Sequence, residues 1–222
     1  MPYGQDRLVL LWLATQAVRH RTPVVRFGSA AEILVEWGMP TNGSHYHWLQ
    51  DAFLRVFGST IFFGTKDEQA EAEVWDTSRG HFLDHMRLWF RNDRAPESRC
   101  QENIVTLSPA FWDELRAHPI PVDTEVIRAL ANNPGCLDLH TWLTWRCYQA
   151  RDIQRIPLFG HMGLTSQLGV QEYARERKFR ERLRLWLYLV RLYWHTCPAR
   201  IAKNGAFLEL NNATAIHGER PR

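Results

Sequence analysis

The chain has 222 residues, of which 45% are hydrophobic and ten are tryptophan. This composition excludes a disordered chain and leaves room for one large domain or two of about 100 residues. The formal net charge is only +3, but residues 151–203 carry eleven Lys or Arg against four Asp or Glu, which predicts an anionic partner for the C-terminal part.

The N-terminal apolar run lacks the basic flank and the cleavage site of a signal peptide. Charges interrupt it, so it does not predict a membrane span. The four cysteines, Cys100, Cys136, Cys147 and Cys197, are widely spaced and form no Cys-x-x-Cys motif. We therefore expect a cytoplasmic protein with isolated thiols and no membrane partner.

The first half of the chain predicts three helices and a set of short strands. Asp6 is expected to cap a helix over residues 6–19, and helices are expected over 30–37 and 44–57. Strands are expected over 22–27, 60–63, 73–76, 81–90 and 104–107, and a further helix over 110–117. The order helix, strand, helix, helix, hairpin is that of a winged helix-turn-helix unit.

The second half repeats this order. Prolines at residues 119 and 121 predict a boundary, giving units 1–118 and 119–222. Helices are expected over 124–131, 137–149, 163–168 and 175–194, with a break at residues 132–135. A strand is expected over 155–158 and a hairpin over 199–210, around Asn204-Gly205. The expected fold class is therefore α+β, mainly helical, with tandem winged helix-turn-helix units.

The helix over residues 175–194 is the candidate DNA reader. Its first half is cationic, and its second half carries apolar residues at helical spacing that would anchor it in the core. Base contacts are expected from one face: Arg177, Arg180, Glu181 and Arg184. Phosphate contacts are expected beside it, from Arg175, Lys178 and Arg182, and flanking contacts from the hairpin residues Arg200, Lys203 and Asn204. The alternative is an exposed helix whose charges only aid solubility.

The corresponding helix of the first unit is a poorer DNA reader, because its only arginine is Arg55. An acidic stretch over residues 67–76 would repel phosphate. We expect this unit to serve self-association or weak contact with the DNA backbone.

Catalytic signatures are weak. His45-Tyr46-His47 resembles the metal-binding pattern of rolling-circle nickases, but a helical pattern follows it, and helix residues two apart point to different faces. Phosphate-binding, dinucleotide-binding and nucleophile-elbow motifs are missing from the sequence. We therefore expect no enzymatic activity, no cofactor and no metal, with a metal-dependent nickase as the enzyme-class alternative.

The N-terminus resembles the plasmid-encoded RepA family of replication initiators. The resemblance rests on Pro2-Tyr3-Gly4, the leucine-rich helix around Trp12, the segment Phe27-Gly28-Ser29, and Trp37-Gly38-Met39 at a helix end. It covers about the first 60 residues well. It implies a double winged-helix fold that binds repeated duplex sites (iterons) at an origin, dimer and monomer forms, and recruitment of the host initiator and replicative helicase. An autoregulatory transcriptional repressor is the alternative within the same binding class.

Overall fold

A computed structural model describes residues 4–67, 74–89, 102–120, 123–150, 152–170 and 176–210 of the chain. The chain divides into two compact units, Met1–Pro119 (unit 1) and Ile120–Arg222 (unit 2). The expected boundary, between residues 118 and 119, lies one residue earlier. Across the described residues, no helix has the length and apolar character needed to cross a bilayer.

Unit 1 combines four helices with two small antiparallel sheets. Its elements are α1 Asp6–His20, β1 Val24–Phe27, α2 Ala30–Glu36, α3 Gly43–Phe57, β2 Thr60–Asp67, β3 Val74–His81, β4 Leu83–Arg87, β5 Asn103–Leu107 and α4 Pro109–Ala117. One sheet has the strand order β1-β5-β4, and β2 and β3 form a separate hairpin. The first strand of the unit therefore pairs with the last.

The β2–β3 hairpin corrects the three short strands expected between residues 60 and 90. Eight residue pairs align in register, from Thr60 opposite His81 to Asp67 opposite Val74. Cross-strand pairing with β3 extends β2 past Gly64 and Lys66, although both residue types have a low intrinsic strand preference. The single strand expected over 81–90 is instead divided, because β3 ends at His81 and the β4–β5 register shifts between Leu83 and His85.

Asp6 does not cap α1, contrary to expectation. It is the first helical residue, only 4% exposed, and Gln5 occupies the N-cap position. Its two carboxylate oxygens accept hydrogen bonds from Arg55, at 2.7 Å from Nε and 2.9 Å from a terminal nitrogen. This bidentate pair joins the start of α1 to α3, a contact between residues 49 positions apart.

The core of unit 1 lies between α1, α2, α3 and β1. The Trp12 ring meets Phe27 edge-on at 5.1 Å, and Phe27 stacks on Phe53 at 6.0 Å. Trp12 also donates its indole N–H to Glu36 at 2.6 Å. The helices expected from hydrophobic periodicity are confirmed here, with the inward face of α3 formed by Leu49, Ala52, Phe53 and Val56.

Unit 2 has the elements α5 Thr124–Leu130, α6 Pro134–Gln149, β6 Gln154–Pro157, α7 Leu164–Gln167, α8 Glu176–Tyr193, β7 Ala199–Ile201 and β8 Phe207–Leu210. Its sheet has the strand order β6-β8-β7. From α6 onward, the order is helix, strand, helix, helix, hairpin. The first strand again pairs with the last, so the two units share the order helix, strand, helix, helix and the strand order of one sheet. Unit 1 has in addition the β2–β3 pair and α4, and unit 2 has α5 at its start.

Helix α6 begins three residues earlier than expected. The sequence Asn-Asn-Pro-Gly predicts a break, but Pro134 occupies the first turn of α6, where its missing N–H costs nothing. Gly135 follows, and a Cβ placed on it would lie 2.7 Å from Cη2 of Trp186 and 2.9 Å from Cε2. The glycine therefore allows α6 to approach α8 closely.

Candidate nucleic-acid interface

Helix α8 has a buried face and an exposed face, as its apolar spacing predicts. Its buried residues are Phe179, Leu183, Trp186, Leu187 and Val190. Phe179 meets Phe159 and Trp186 edge-on, with ring centroids 5.6 Å and 6.3 Å away. These contacts fix the rotation of α8 about its axis, and so determine which of its charged side chains face solvent.

Most of the predicted DNA-binding cations of α8 are exposed. The Arg177 side chain is 89% exposed and donates to Glu181 at 2.9 Å, one turn later. Lys178, Arg182 and Arg184 are exposed, and they make no hydrogen bond or ion pair with any residue that the structure describes. Arg175 lies outside the described residues. The exposed cations retain most of their hydration and are accessible to an anionic ligand.

Arg180 is held in place, unlike its neighbours. Its Nε donates to the carbonyl of Gly205 at 2.8 Å, and a terminal nitrogen donates to Glu176 at 2.8 Å. Its guanidinium carbon lies 4.9 Å from the ring centroid of Phe159, a cation–π contact. The expectation that Arg180 contacts a base does not fit these three contacts. The Gly205 bond joins the N-terminal half of α8 to the tip of the β7–β8 hairpin.

The hairpin tip presents two of the predicted contact residues. Lys203 and Asn204 are exposed, and the Asn204 side chain accepts a hydrogen bond from the Ala206 amide at 3.0 Å. Gly205 has φ +66°, a conformation that glycine adopts without strain. The Asn-Gly signal thus correctly predicted the hairpin, and the Arg180 contact brings its tip beside the cationic end of α8.

A row of charged residues crosses the solvent face of the sheet. Glu209 on β8 lies between Arg155 on β6 and Arg200 on β7, all in one register. The carboxylate accepts from Arg155 Nε at 3.1 Å and from Arg200 Nε at 3.0 Å. The two arginine side chains are 60% and 62% exposed, whereas Glu209 is 15% exposed. One carboxylate therefore orients two guanidinium groups toward solvent.

Arg155 is the cation of this row that the sequence did not predict. It lies 54 positions from Glu209, so no local pattern links the two. The available signal was the alternation of exposed and buried residues on β6, which places Arg155 and Pro157 outward and Ile156 inward.

The turn before α8 is built as the sequence predicts. Gly169 adopts φ +65° after α7, and the Val170 amide donates back to Thr165 O at 2.9 Å. Gln167 fastens α7 to α6, because its side-chain oxygen accepts from Trp142 at 3.1 Å and from Arg146 at 2.7 Å. Burial lowers the pKa of Arg146.

The net charge is divided unevenly between the units. Unit 1 has 12 Lys or Arg and 15 Asp or Glu, a net −3. Unit 2 has 15 Lys or Arg and 9 Asp or Glu, a net +6. An anionic polymer would therefore meet an attractive surface on unit 2 and a repulsive average charge on unit 1.

The apolar second half of α8 is only partly a core anchor, which corrects the expectation. Trp186, Val190 and the following Trp194 are buried, but other large residues face solvent. The exposed ones are Leu185, Tyr188, Leu192 and Tyr193. Helical spacing predicted the inward stripe and gave no account of this outward one.

The two histidines of the His45-Tyr46-His47 pattern lie on a helix, whose geometry points their side chains to different faces. His45 and His47 both belong to α3, and the His45 ring nitrogen Nδ1 lies 2.7 Å from Oδ1 of Asn42, the N-cap residue. No group of three or more metal-ligating side chains occurs among the described residues. Burial raises the pKa of Cys136 and Cys147 to about 12 and leaves both thiols protonated at neutral pH.

Comparison with known proteins adds a family and a fold. The family model described as plasmid encoded RepA protein matches residues 1–156, a segment that ends before α8. Two crystal structures of domains 2 and 3 of RctB are similar in fold. One, a fragment of residues 155–483, aligns with TM-score 0.55 and 16% identity over 92% of this chain and 79% of that chain. The other, a selenomethionine derivative, aligns with TM-score 0.56 and 17% identity over 82% and 67%.

Comparison with curated proteins gives no match. At this low sequence identity, the similarity to RctB shows a similar fold only. The family model, in contrast, matches more than half of the chain. The chain therefore belongs to the plasmid-encoded RepA protein family.

Proposed function

We propose that the protein initiates plasmid replication by binding repeated duplex sites at the origin through unit 2. The observation that carries this proposal is the cationic, solvent-facing first half of α8, placed beside the tip of a β-hairpin by the Arg180–Gly205 hydrogen bond. A winged helix-turn-helix unit binds DNA with this combination, a helix in the major groove and a hairpin against the flanking backbone. Membership in the RepA family supports the origin as the target.

Within this proposal, both units are winged helix-turn-helix units. The support is their shared order of elements and the pairing of the first strand with the last in each sheet. Helix α8 follows α7 and the Gly169 turn, which is the position of a recognition helix.

The contact residues divide into two chemical groups. Arg177 and Arg184 are the base readers, because a guanidinium can bond guanine O6 and N7 together, and Glu181 could accept from cytosine N4. Lys178, Arg182, Arg200 and Lys203 serve phosphates, and Asn204 donates from the hairpin tip. Arg155 joins Arg200 as a phosphate contact, since Glu209 orients both. Arg180 positions the hairpin instead of reading a base.

Unit 1 is assigned to self-association, in dimer and monomer forms. On α3 the only arginine is bound to Asp6, while Leu54 and Phe57 are 54% and 39% exposed. This surface suits a protein partner better than phosphate. Recruitment of the host initiator and the replicative helicase completes the proposal, as membership in an initiator family implies.

The test is footprinting of the full chain on the DNA that flanks its reading frame. We expect protection of directly repeated segments that disappears as salt rises, because released counterions drive phosphate binding. Arg177→Ala/Arg184→Ala should abolish the footprint, while the matched control Arg19→Ala/Arg116→Ala, on exposed residues of unit 1, should leave it unchanged. Uniform protection without repeats, or equal loss in both variants, would contradict the proposal.

A further inference from the structure

The exposed apolar residues of α8 continue the same stripe as its polar contact residues. Arg177, Glu181, Leu185, Tyr188 and Leu192 are separated by four, four, three and four positions. This spacing places them on one side of the helix, opposite the buried stripe. Leu185 is 45% exposed and Tyr188 is 60% exposed. Whatever contacts the cationic half of α8 from this side also meets these two side chains.

We propose that Leu185 and Tyr188 contact the C5 methyl groups of thymines next to the base pair read by Arg184. This inference rests on the proposed function. Among the groups that base pairs present in the major groove, the thymine methyl is the apolar one. A Leu side chain and a Tyr ring that extend from a helix to the groove floor can make apolar contact with this methyl group. The predicted site therefore has thymine beside guanine.

Distances along the helix limit the inference to these two residues. At 1.5 Å per residue, Leu185 and Tyr188 lie about 2 Å and 6 Å beyond Arg184 along the axis. Since base pairs stack every 3.4 Å or so, both fall within about two base pairs of the Arg184 contact. Leu192 lies about 12 Å beyond Arg184, more than three base-pair spacings away, and Tyr193 lies further still.

Charge favours DNA over a second copy of the chain as the ligand of this stripe. Helix α8 has six Lys or Arg and two Glu, a net +4. A second α8 packed against the stripe would bring an equal positive charge beside the first, whereas duplex DNA brings phosphates on both sides of the groove. The exposed Arg182 lies three residues before Leu185 and is available for those phosphates.

The experiment replaces thymine by 2′-deoxyuridine, which removes only the C5 methyl. The full chain first selects duplexes from a random library, and each thymine of the selected site is then replaced in turn. We expect about fourfold weaker binding at one or two positions, the effect of withdrawing one methyl group from an apolar contact. Leu185→Ala or Tyr188→Ala should bind the thymine and uracil forms of one such position equally.

Leu192→Ala and Tyr193→Ala are the matched controls, because both residues are exposed on the same helix. Both lie more than three base-pair spacings beyond Arg184 along the helix axis. Both should retain the full sensitivity to uracil. Uracil sensitivity that survives in Leu185→Ala/Tyr188→Ala, or that is absent from the wild type, would overturn the inference while leaving sequence-specific binding intact. If no sequence is selected, the proposed function fails, and the inference with it.

Sedimentation of the same variants tests whether the stripe instead binds a second copy of the chain. The oligomeric state should not change in Leu185→Ala/Tyr188→Ala. A dimer that dissociates in this variant, with uracil sensitivity unchanged, would assign the stripe to self-association and overturn the inference.

Discussion

At the scale of single residues, the arginines of α8 have different environments although the sequence presents them alike. Arg177 and Arg184 face solvent, whereas Arg180 bonds Gly205 and Glu176 and lies against Phe159. A guanidinium with three partners would lose them on turning to a base, and each hydrogen bond lost would have to be regained from DNA. Arg177 would give up only its exposed bond to Glu181, and Arg184 has no bond to give up among the described residues.

Arg184→Ala should therefore remove discrimination at one base position. We expect a loss of about 1–3 kcal/mol there, with smaller effects elsewhere in the site. Lys178→Ala should weaken specific and random duplexes alike, because a lysine contacts phosphate as a point charge. Binding to a set of single-base variants of the selected site measures both effects. Equal losses for both variants on specific and random DNA would remove the base-reading assignment of Arg184.

Gly135 offers a test of the packing that holds α8. Gly135→Ala should destabilise unit 2, because the new methyl group would overlap the ring of Trp186, which is buried and 5% exposed. Overpacking of this kind costs about 1–3 kcal/mol, partly offset by about 1 kcal/mol of gained helix propensity.

Gly43→Ala is the control for that substitution, since a Cβ there meets no atom within 4 Å. It should leave stability unchanged or raise it slightly. Chemical denaturation followed by tryptophan fluorescence measures both variants. A Gly135→Ala protein as stable as the wild type would show that α6 and α8 can separate without cost.

At the scale of elements, local patterns in the sequence predict most of unit 2. Apolar residues at helical spacing predict the buried face of α8, and Asn204-Gly205 predicts the hairpin. The contacts that position the side chains of the candidate site are instead long-range in sequence. Arg180 meets Gly205 across 25 positions, and Arg155 meets Glu209 across 54. Such pairs depend on tertiary packing and sheet register, which no local pattern encodes.

The same limit explains the errors in unit 1. Aspartate is a preferred N-cap residue, so the sequence predicts a cap at Asp6. That prediction considers only neighbouring residues, whereas the partner of Asp6 is Arg55, 49 positions away. The long β2–β3 hairpin contains residues of low strand propensity that cross-strand pairing stabilises. In both places a tertiary contact outweighs the local preference.

The sheet of unit 2 gives a prediction at this scale. Arg155→Ala should reduce the slope of log affinity against log salt by about 0.9, the loss of one phosphate contact, without changing the preferred sequence. Arg128→Ala removes an exposed arginine from α5 and is the control, with an unchanged slope. Binding titrations over a range of salt concentrations measure the slopes. A changed base preference, or a slope equal to that of the wild type, would remove Arg155 from the interface.

At the scale of the whole molecule, the two units have similar topology and opposite charge. Unit 1 has net charge −3 and unit 2 has +6. Each unit could offer a helix to DNA, but the net charge is positive in unit 2 and negative in unit 1, so long-range attraction to phosphates favours unit 2. Long-range charge, more than fold, therefore distinguishes their proposed roles.

A charge-matched pair of variants tests this division. Arg177→Ala/Lys178→Ala/Arg182→Ala/Arg184→Ala removes four exposed cations from α8, and Arg19→Ala/Arg79→Ala/Arg87→Ala/Arg116→Ala removes four exposed cations from unit 1. Both lower the net charge of the chain from +3 to −1. If total charge governed binding, the two variants would weaken it equally. Because phosphate contacts act locally, the first should reduce the salt slope by about 1.8, the loss of the two phosphate contacts of Lys178 and Arg182, and abolish specific binding. The second should keep most of the wild-type slope. Similar slopes for the two variants would place the DNA contact on both units and end the assignment to unit 2.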